Sequence, residues 1–212
     1  LAVALASNVG SVATITGNPQ NMIVGSLSRI HYSTFAIALA PVAVAGLFMT
    51  VAMIALVYRT EFMSREVFTV NVSRPKRYLQ PVVIKSLLVL LLMIVMFFNG
   101  HPVAKVAIIG GAYMLFTRRI KAHRIYREID WPLLVMFAGL FVVVAAFERV
   151  AVTPGVIAAV ARQHLDNVAV LSTVTAVLSN LVSNVPAVLM LKSFIGNLAE
   201  PQRSWLVVAM AS

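Results

Sequence analysis

SNVGSVATITGNPQN, residues 7–21, is the stretch on which the fold turns. It holds Gly10, Gly17 and Pro19 among Ser, Thr and Asn, the composition of a surface loop. Yet it follows the apolar run 1–6 and precedes a long apolar segment, with few charges near it. The whole chain of 212 residues is 60% apolar and 11% charged, where a soluble domain has about 45–50% and about 25%. Mean hydropathy is +0.92. A water-soluble globule of this length cannot hide so much apolar surface, and a disordered chain would not carry it. The absence of Cys excludes disulfide scaffolds, thiolate metal sites and thiol catalysis. The composition therefore predicts an all-α polytopic membrane protein. At about 20 residues per span, there is room for at most about six to eight passages.

In that setting residues 7–21 are irregular backbone at membrane depth. Each unpaired N–H or C=O there costs several kcal/mol, so such backbone persists only where protein buries it or water lines it. Asn18 then Pro19 is a helix start, with Asn as cap and Pro in the first helical position. A short helix is expected to about Ser28, then a polar turn over 29–33.

The net charge of +10 is distributed as in cytoplasmic loops rather than as in a nucleic-acid surface. Ten of the 17 basic residues fall in two stretches, 59–80 (Arg59, Arg65, Arg74, Lys76, Arg77) and 117–130 (Arg118, Arg119, Lys121, Arg124, Arg127). Spans are expected over 35–58, 81–98, 103–116 and 131–150, with a tight turn at 99–102 and a break at 153–155. Residues 156–165 are expected to form an amphipathic interfacial helix. With the basic loops inside, the turns at 29–33, 99–102 and 153–155 lie outside.

A second interruption follows. Two apolar half-helices, 167–178 and 187–198, flank Ser179-Asn180-Leu181-Val182-Ser183-Asn184-Val185-Pro186. The composition favours a re-entrant hairpin entering from outside over one straight span of 28 residues. The ends of the chain also resemble each other: residues 1–7 and 206–212 share five identities in seven, a period of 205, with opposite predicted orientation. That pattern fits an inverted repeat. Four parts are expected. Residues 1–30 are a truncated broken helix of the first repeat, and 31–130 are membrane helices with the two basic loops. Residues 131–204 hold a second-repeat helix, the interfacial helix and the re-entrant hairpin, and 205–212 begin a second, truncated broken helix.

The interruptions carry the chemistry. Helices starting at Pro19 and near Pro186 aim positive N-termini at the bilayer midplane and attract anions. Helices ending at Ala6 and near Ser179 bring carbonyls to the same depth, where Ser, Thr and Asn oxygens suit a small dehydrated cation. Both interruptions, 8–18 and 179–185, are expected to be non-helical and to share one cavity. For Ser11, Thr16 or Ser172 alone, bonding back to the helix is the better reading. Asn8, Asn18, Asn21, Asn180 and Asn184 are too costly at depth for that alone. Lys85, Lys105, Glu148, Arg149 and Lys192 lie near predicted membrane surfaces and are expected to snorkel. No acid falls at mid-depth, and no metalloprotease, esterase or paired-carboxylate pattern occurs. No enzymatic activity is expected.

Residues 7–21 resemble the S-x-x-G-x-x-x-T-x-x-G-x-P-x-N signature of the ion transporter superfamily, whose members include divalent anion/sodium symporters, citrate transporters and arsenite permeases. Ser7, Gly10, Thr14, Gly17, Pro19 and Asn21 carry the match. Ser183-Asn184-Val185-Pro186 is similar to the Ser-Asn hairpin tip of that group, with Val185 where dicarboxylate carriers have Thr. The Gly17–Asn21 form is more similar to the arsenite-permease and citrate-transporter-like branch. The resemblance implies an inverted-repeat transporter with two repeats of about five helices, each with a hairpin and a broken helix. It implies secondary active transport of a small anion, a di- or tricarboxylate or an inorganic oxyanion, with Na⁺ as candidate coupling ion. A metalloid or proton-coupled permease, and a structural membrane subunit without transport, are the alternatives. The substrate and ion ligands implied are Ser7, Asn8, Gly10, Thr14, Gly17, Asn18, Pro19, Asn21, Ser179, Asn180, Ser183, Asn184, Val185 and Pro186, with Na⁺ near Asn8, Thr14, Ser183 and Asn184. Partners are the anion and the lipid bilayer, with no nucleic acid, no organic cofactor and a candidate homodimer. The expected location is the bacterial inner membrane.

The charge pattern fixes a topology that cysteine accessibility reads directly. In the full-length protein, Arg65→Cys and Arg124→Cys are expected to react only from the cytoplasmic side and His101→Cys only from outside. Reaction of positions 65 and 124 from opposite sides would overturn the span assignment.

Overall fold

The computed structural model describes residues 2–59, 80–116, 126–151, 153, 155–156, 164–196 and 198–212. Among them lie the helices α1 (Ala2–Ser11), α2 (Pro19–Ser28), α3 (Tyr32–Val57), α4 (Gln80–Phe98), α5 (Val103–Leu115), α6 (Trp131–Ala151), α7 (Val168–Val182), α8 (Asn184–Ile195) and α9 (Pro201–Ala211). No strand occurs among the described residues. Leu1, most of both basic loops with Arg65 and Arg124, His123, Pro154 and the centre of the expected interfacial helix lie outside them.

Among the described residues, three helices are long and apolar enough to cross a membrane: Tyr32–Val57, Pro81–Phe98 and Trp131–Val150. Most of their side chains face outward, as a hydrocarbon solvent allows. The first begins one turn earlier than its apolar run, because Tyr32 buries its ring against Phe97 and Phe98, with centroids 5.5 and 5.1 Å apart. This contact seats α3 beside the α4–α5 turn, where Gly100 takes φ +82°, a conformation glycine adopts without penalty.

The core forms where the short helices meet. Val24 of α2, Phe35 of α3, Leu171 of α7, Val188 and Ile195 of α8 and Val208 of α9 are all nearly or fully buried in one cluster. α1 lies along α3, with Val9 over Gly46, while α2 packs on α8 and α9.

The second interruption differs from expectation. α7 runs through Ser179 and Asn180 to Val182, and Val185 and Pro186 are already in α8, so Ser183 is the whole break. Asn180 is accommodated within the helix with its amide donating to the Ala176 carbonyl at 2.8 Å. Pro186 is tolerated because first-turn N–H groups have no intrahelical partner. The same rule moves the start of the last helix from Trp205 back to Pro201.

After Ser183 the chain turns back. α7 rises about 22 Å and α8 about 18 Å, yet Ala199 N donates to Asp166 Oδ1 at 3.4 Å, so the outer ends of the pair lie together. α9 then runs alongside α7 in the same direction. Val168 and Leu171 share a cavity of about 200 Å³ with Arg203, Ser204 and Val207.

Ser183 sits at φ 77°, ψ 157°, a region nearly reserved for glycine and costing about 1–3 kcal/mol for another residue. Ser183→Gly should relieve that strain against a loss of about 0.5–1 kcal/mol in chain entropy. It is expected to raise the melting temperature in detergent, while Ser183→Val lowers it. Equal melting of the two variants would contradict the break.

Candidate functional site

The first break begins later than the sequence predicts. α1 continues past Ala6 through Asn8 and Gly10 to Ser11, so the irregular backbone is 12–18. The helix can go on because its last four carbonyls all find donors. Asn8 O accepts from the Ser11 hydroxyl at 2.7 Å, Val9 O from Val12 N, Gly10 O from Ala13 N and Ser11 O from Thr14 N, each of these backbone bonds at 3.3 Å.

Asn21 completes the closure. It is fully buried, and its Nδ2 donates to the carbonyls of Ser11 and Val12 at 3.3 Å and of Thr14 at 3.1 Å. Three oxygens around one atom require that atom to be the amide nitrogen. Its Oδ1 is buried without a partner among the described residues. Asn18 spans the break from the other side. Its Oδ1 caps α2 by accepting from Asn21 N at 2.7 Å, and its Nδ2 donates to Ser11 Oγ at 3.1 Å. Pro19 follows in the first helical position. Gly17 is required here for space: a Cβ would fall on the Ser11 carbonyl.

The predicted residues thus separate into groups. Thr14, Gly17, Asn18, Pro19 and Asn21 form or border the first break. Ser7, Asn8 and Gly10 lie on α1 before it, Ser7 and Asn8 exposed and Gly10 with open space at its Cβ. Ser183 and Asn184 form the second break, Val185 is buried and Pro186 half-buried behind it. Ser179 is buried one to two turns before it, and Asn180 is exposed. The cavity of about 200 Å³ lies between the first turns of α7 and α9, lined by Asp166, Glu200 and Arg203 among others.

Ser11 bonds back to its own helix as expected, donating to the Asn8 carbonyl, and its hydroxyl also accepts from Asn18 Nδ2. Several side chains escaped the sequence reading. Tyr32 joins its hydroxyl to Thr16 Oγ1 at 2.8 Å, tying the break to α3. Thr175 is fully buried, and its hydroxyl, like that of Ser179, has no partner among the described residues. Its spacing of four from Ser179 was the available signal. Three of the residues expected to snorkel have partners. Lys85 donates to the Tyr113 carbonyl at 3.1 Å and lies over the Tyr113 ring, and Glu148 meets Lys192 at 3.5 Å.

Residues 1–212 match the citrate transporter family. The chain belongs to the citrate transporter family. This citrate transporter family member is an integral membrane protein. It is 26% identical over 223 residues to a 46 kDa membrane protein of Mycobacterium leprae, an alignment covering 88% of this chain and 50% of that one. An uncharacterized transporter of Synechocystis is 24% identical, over 91% of this chain and 47% of its own. A silicon efflux transporter of Oryza sativa is 25% identical, over 100% of this chain and 58% of its own. The family member spans about half the length of the curated relatives it matches. No solved structure matches it.

The geometry makes Asn21 a sharp test of the first break. Asn21→Ala leaves the Val12 carbonyl without a donor among the described residues and takes one of two donors from the Ser11 and Thr14 carbonyls, at about 1–3 kcal/mol for a buried unsatisfied group. Asn21→Asp sets an oxygen against the same three carbonyls and is expected to destabilise more than Asn21→Ala, as read by melting in detergent. An aspartate variant as stable as the parent would refute the carbonyl closure.

Proposed function

We propose that this chain is part of a secondary transporter that moves a small anion, a di- or tricarboxylate or an inorganic oxyanion, with Na⁺ as the coupling ion. The observation that carries the reading is the packing of α2 on α8, two helices that each begin at a chain break, within one core. The positive N-terminal ends of such helices favour an anion. The carbonyl-rich ends of α1 and α7, with the oxygens of Thr14, Asn18, Ser183 and Asn184, suit the cation. A cation drawing on Ser11, Val12 or Thr14 would share those carbonyls with the Asn21 amide.

In this reading α7 and α8 re-enter the membrane from the outer face, and 1–7 and 206–212 belong to inverted repeats. Val185 is buried behind the tip, so the tip offers one hydroxyl fewer than a Ser-Asn-Thr sequence would. A larger or inorganic anion fits that difference better than a C4-dicarboxylate. A second reading, an uncharged inorganic hydroxide moved by the same breaks, is favoured by the likeness to the rice silicon efflux transporter.

Counterflow in proteoliposomes containing the full-length protein tests both. Labelled citrate, phosphate and silicic acid are offered with and without a Na⁺ gradient. Citrate or phosphate uptake stimulated by Na⁺ is the expected result. Silicic acid uptake alone supports the second reading, and no uptake points to a structural subunit. Asn18→Ala and Asn184→Ala are each expected to weaken apparent affinity by about ten-fold, the factor that 1.4 kcal/mol makes. Ser172→Ala should leave it unchanged. Normal transport by both asparagine variants would put the site elsewhere.

A further inference from the structure

Glu148 lies three residues before the end of α6, and Lys192 and Ser193 lie in the last turn of α8. The Lys192 ammonium stands 3.5 Å from Glu148 Oε2, and the Ser193 hydroxyl donates to Oε1 at 3.3 Å. Both oxygens of one carboxylate are thus held by consecutive residues of α8. Glu148 is 25% exposed and Lys192 46%. A carboxylate there faces the negative end of its own helix dipole, and the Lys192 ammonium offsets that repulsion and holds the carboxylate in place. In apolar surroundings the attraction is stronger than in water, and removing either partner leaves a partly buried charge uncompensated.

The leverage comes from α8. It is a rigid rod about 18 Å long, with the clamp at one end and the Ser183–Asn184 break at the other. The link back to α7 is the single strained residue Ser183, and α8 is otherwise placed by its packing against α7, α2 and α9. α6 packs directly on α8.

We propose that Glu148 is a positioning residue of the transport site: through Lys192 and Ser193 it sets the height and tilt of α8 and so the placement of Asn184. The proposal rests on the reading that the Ser183–Asn184 break binds the transported anion. It predicts that the clamp acts on affinity from a full helix length away, without touching the substrate.

The test uses the full-length protein, freed of any other cysteine, with a reporter cysteine at Leu181, an exposed residue beside the break. Its maleimide labelling rate reads the break without any substrate, and citrate counterflow reads affinity. Glu148→Gln and Lys192→Met are each expected to change the labelling rate several-fold. Each is also expected to raise the half-saturating citrate concentration by about ten-fold, with a smaller effect on maximal rate. The reversed pair, Glu148→Lys with Lys192→Glu, is expected to restore both readouts. Arg203→Gln, which breaks the exposed Arg203–Glu200 pair within α9, should leave labelling at the parental rate. Folded single variants that label at the parental rate overturn the proposal, as does a folded reversed pair that fails to restore labelling. If one variant does not fold, the other decides. Labelling that follows the clamp in a protein that carries no citrate sustains the clamp and sinks the citrate reading. Unchanged labelling with intact uptake does the reverse.

Discussion

Backbone groups between Ser11 and Pro19 have to be satisfied without recourse to bulk water, and the Asn21 amide joins the local backbone bonds in meeting that demand. Its one nitrogen closes three carbonyls, while Asn18 caps the next helix and holds Ser11. A break held by so many directed bonds is a rigid elbow. It fixes the angle at which α2 leaves α1, and α2 in turn packs on α8 and α9. If the elbow loosened, the core around Val24, Val188 and Val208 would lose its common face.

The two breaks solve one problem by opposite means. The first uses seven irregular residues with a dense set of internal hydrogen bonds. The second uses a single residue and stores its cost as backbone strain at Ser183. Near it, Thr175 and Ser179 bury hydroxyls that have no partner among the described residues, each a charge of about 1–3 kcal/mol against the fold. The first break is therefore a fixed point, and the second a joint with stored strain and unspent hydrogen-bonding capacity. Strain of this kind gathers where a structure binds or moves.

Charged side chains on the membrane helices follow the same economy of partners. Lys85 reaches a carbonyl and an aromatic face at Tyr113, and Glu148 is gripped by two residues of α8. Extending to the membrane surface would satisfy each group singly. Pairing across helices satisfies two and also fixes the relative placement of the helices that carry them.

Periodicity, composition and local caps were legible without a structure because they depend on neighbours in sequence. The apolar runs give α3, α4 and α6 nearly their full lengths, and Asn18-Pro19 marks the start of α2 to the residue. The polar clusters were legible as interruptions, but their extents were not. Whether Asn8 or Asn180 ends a helix depends on whether a donor or acceptor is at hand for it. Ser11 and Ala176 supply those partners in the folded chain. The closure by Asn21, the tie from Thr16 to Tyr32 and the grip of Lys192 on Glu148 span 7 to 44 residues. Only tertiary packing brings such groups together, because hydrogen bonds and ion pairs act over a few ångströms and sequence patterns carry no information about that distance.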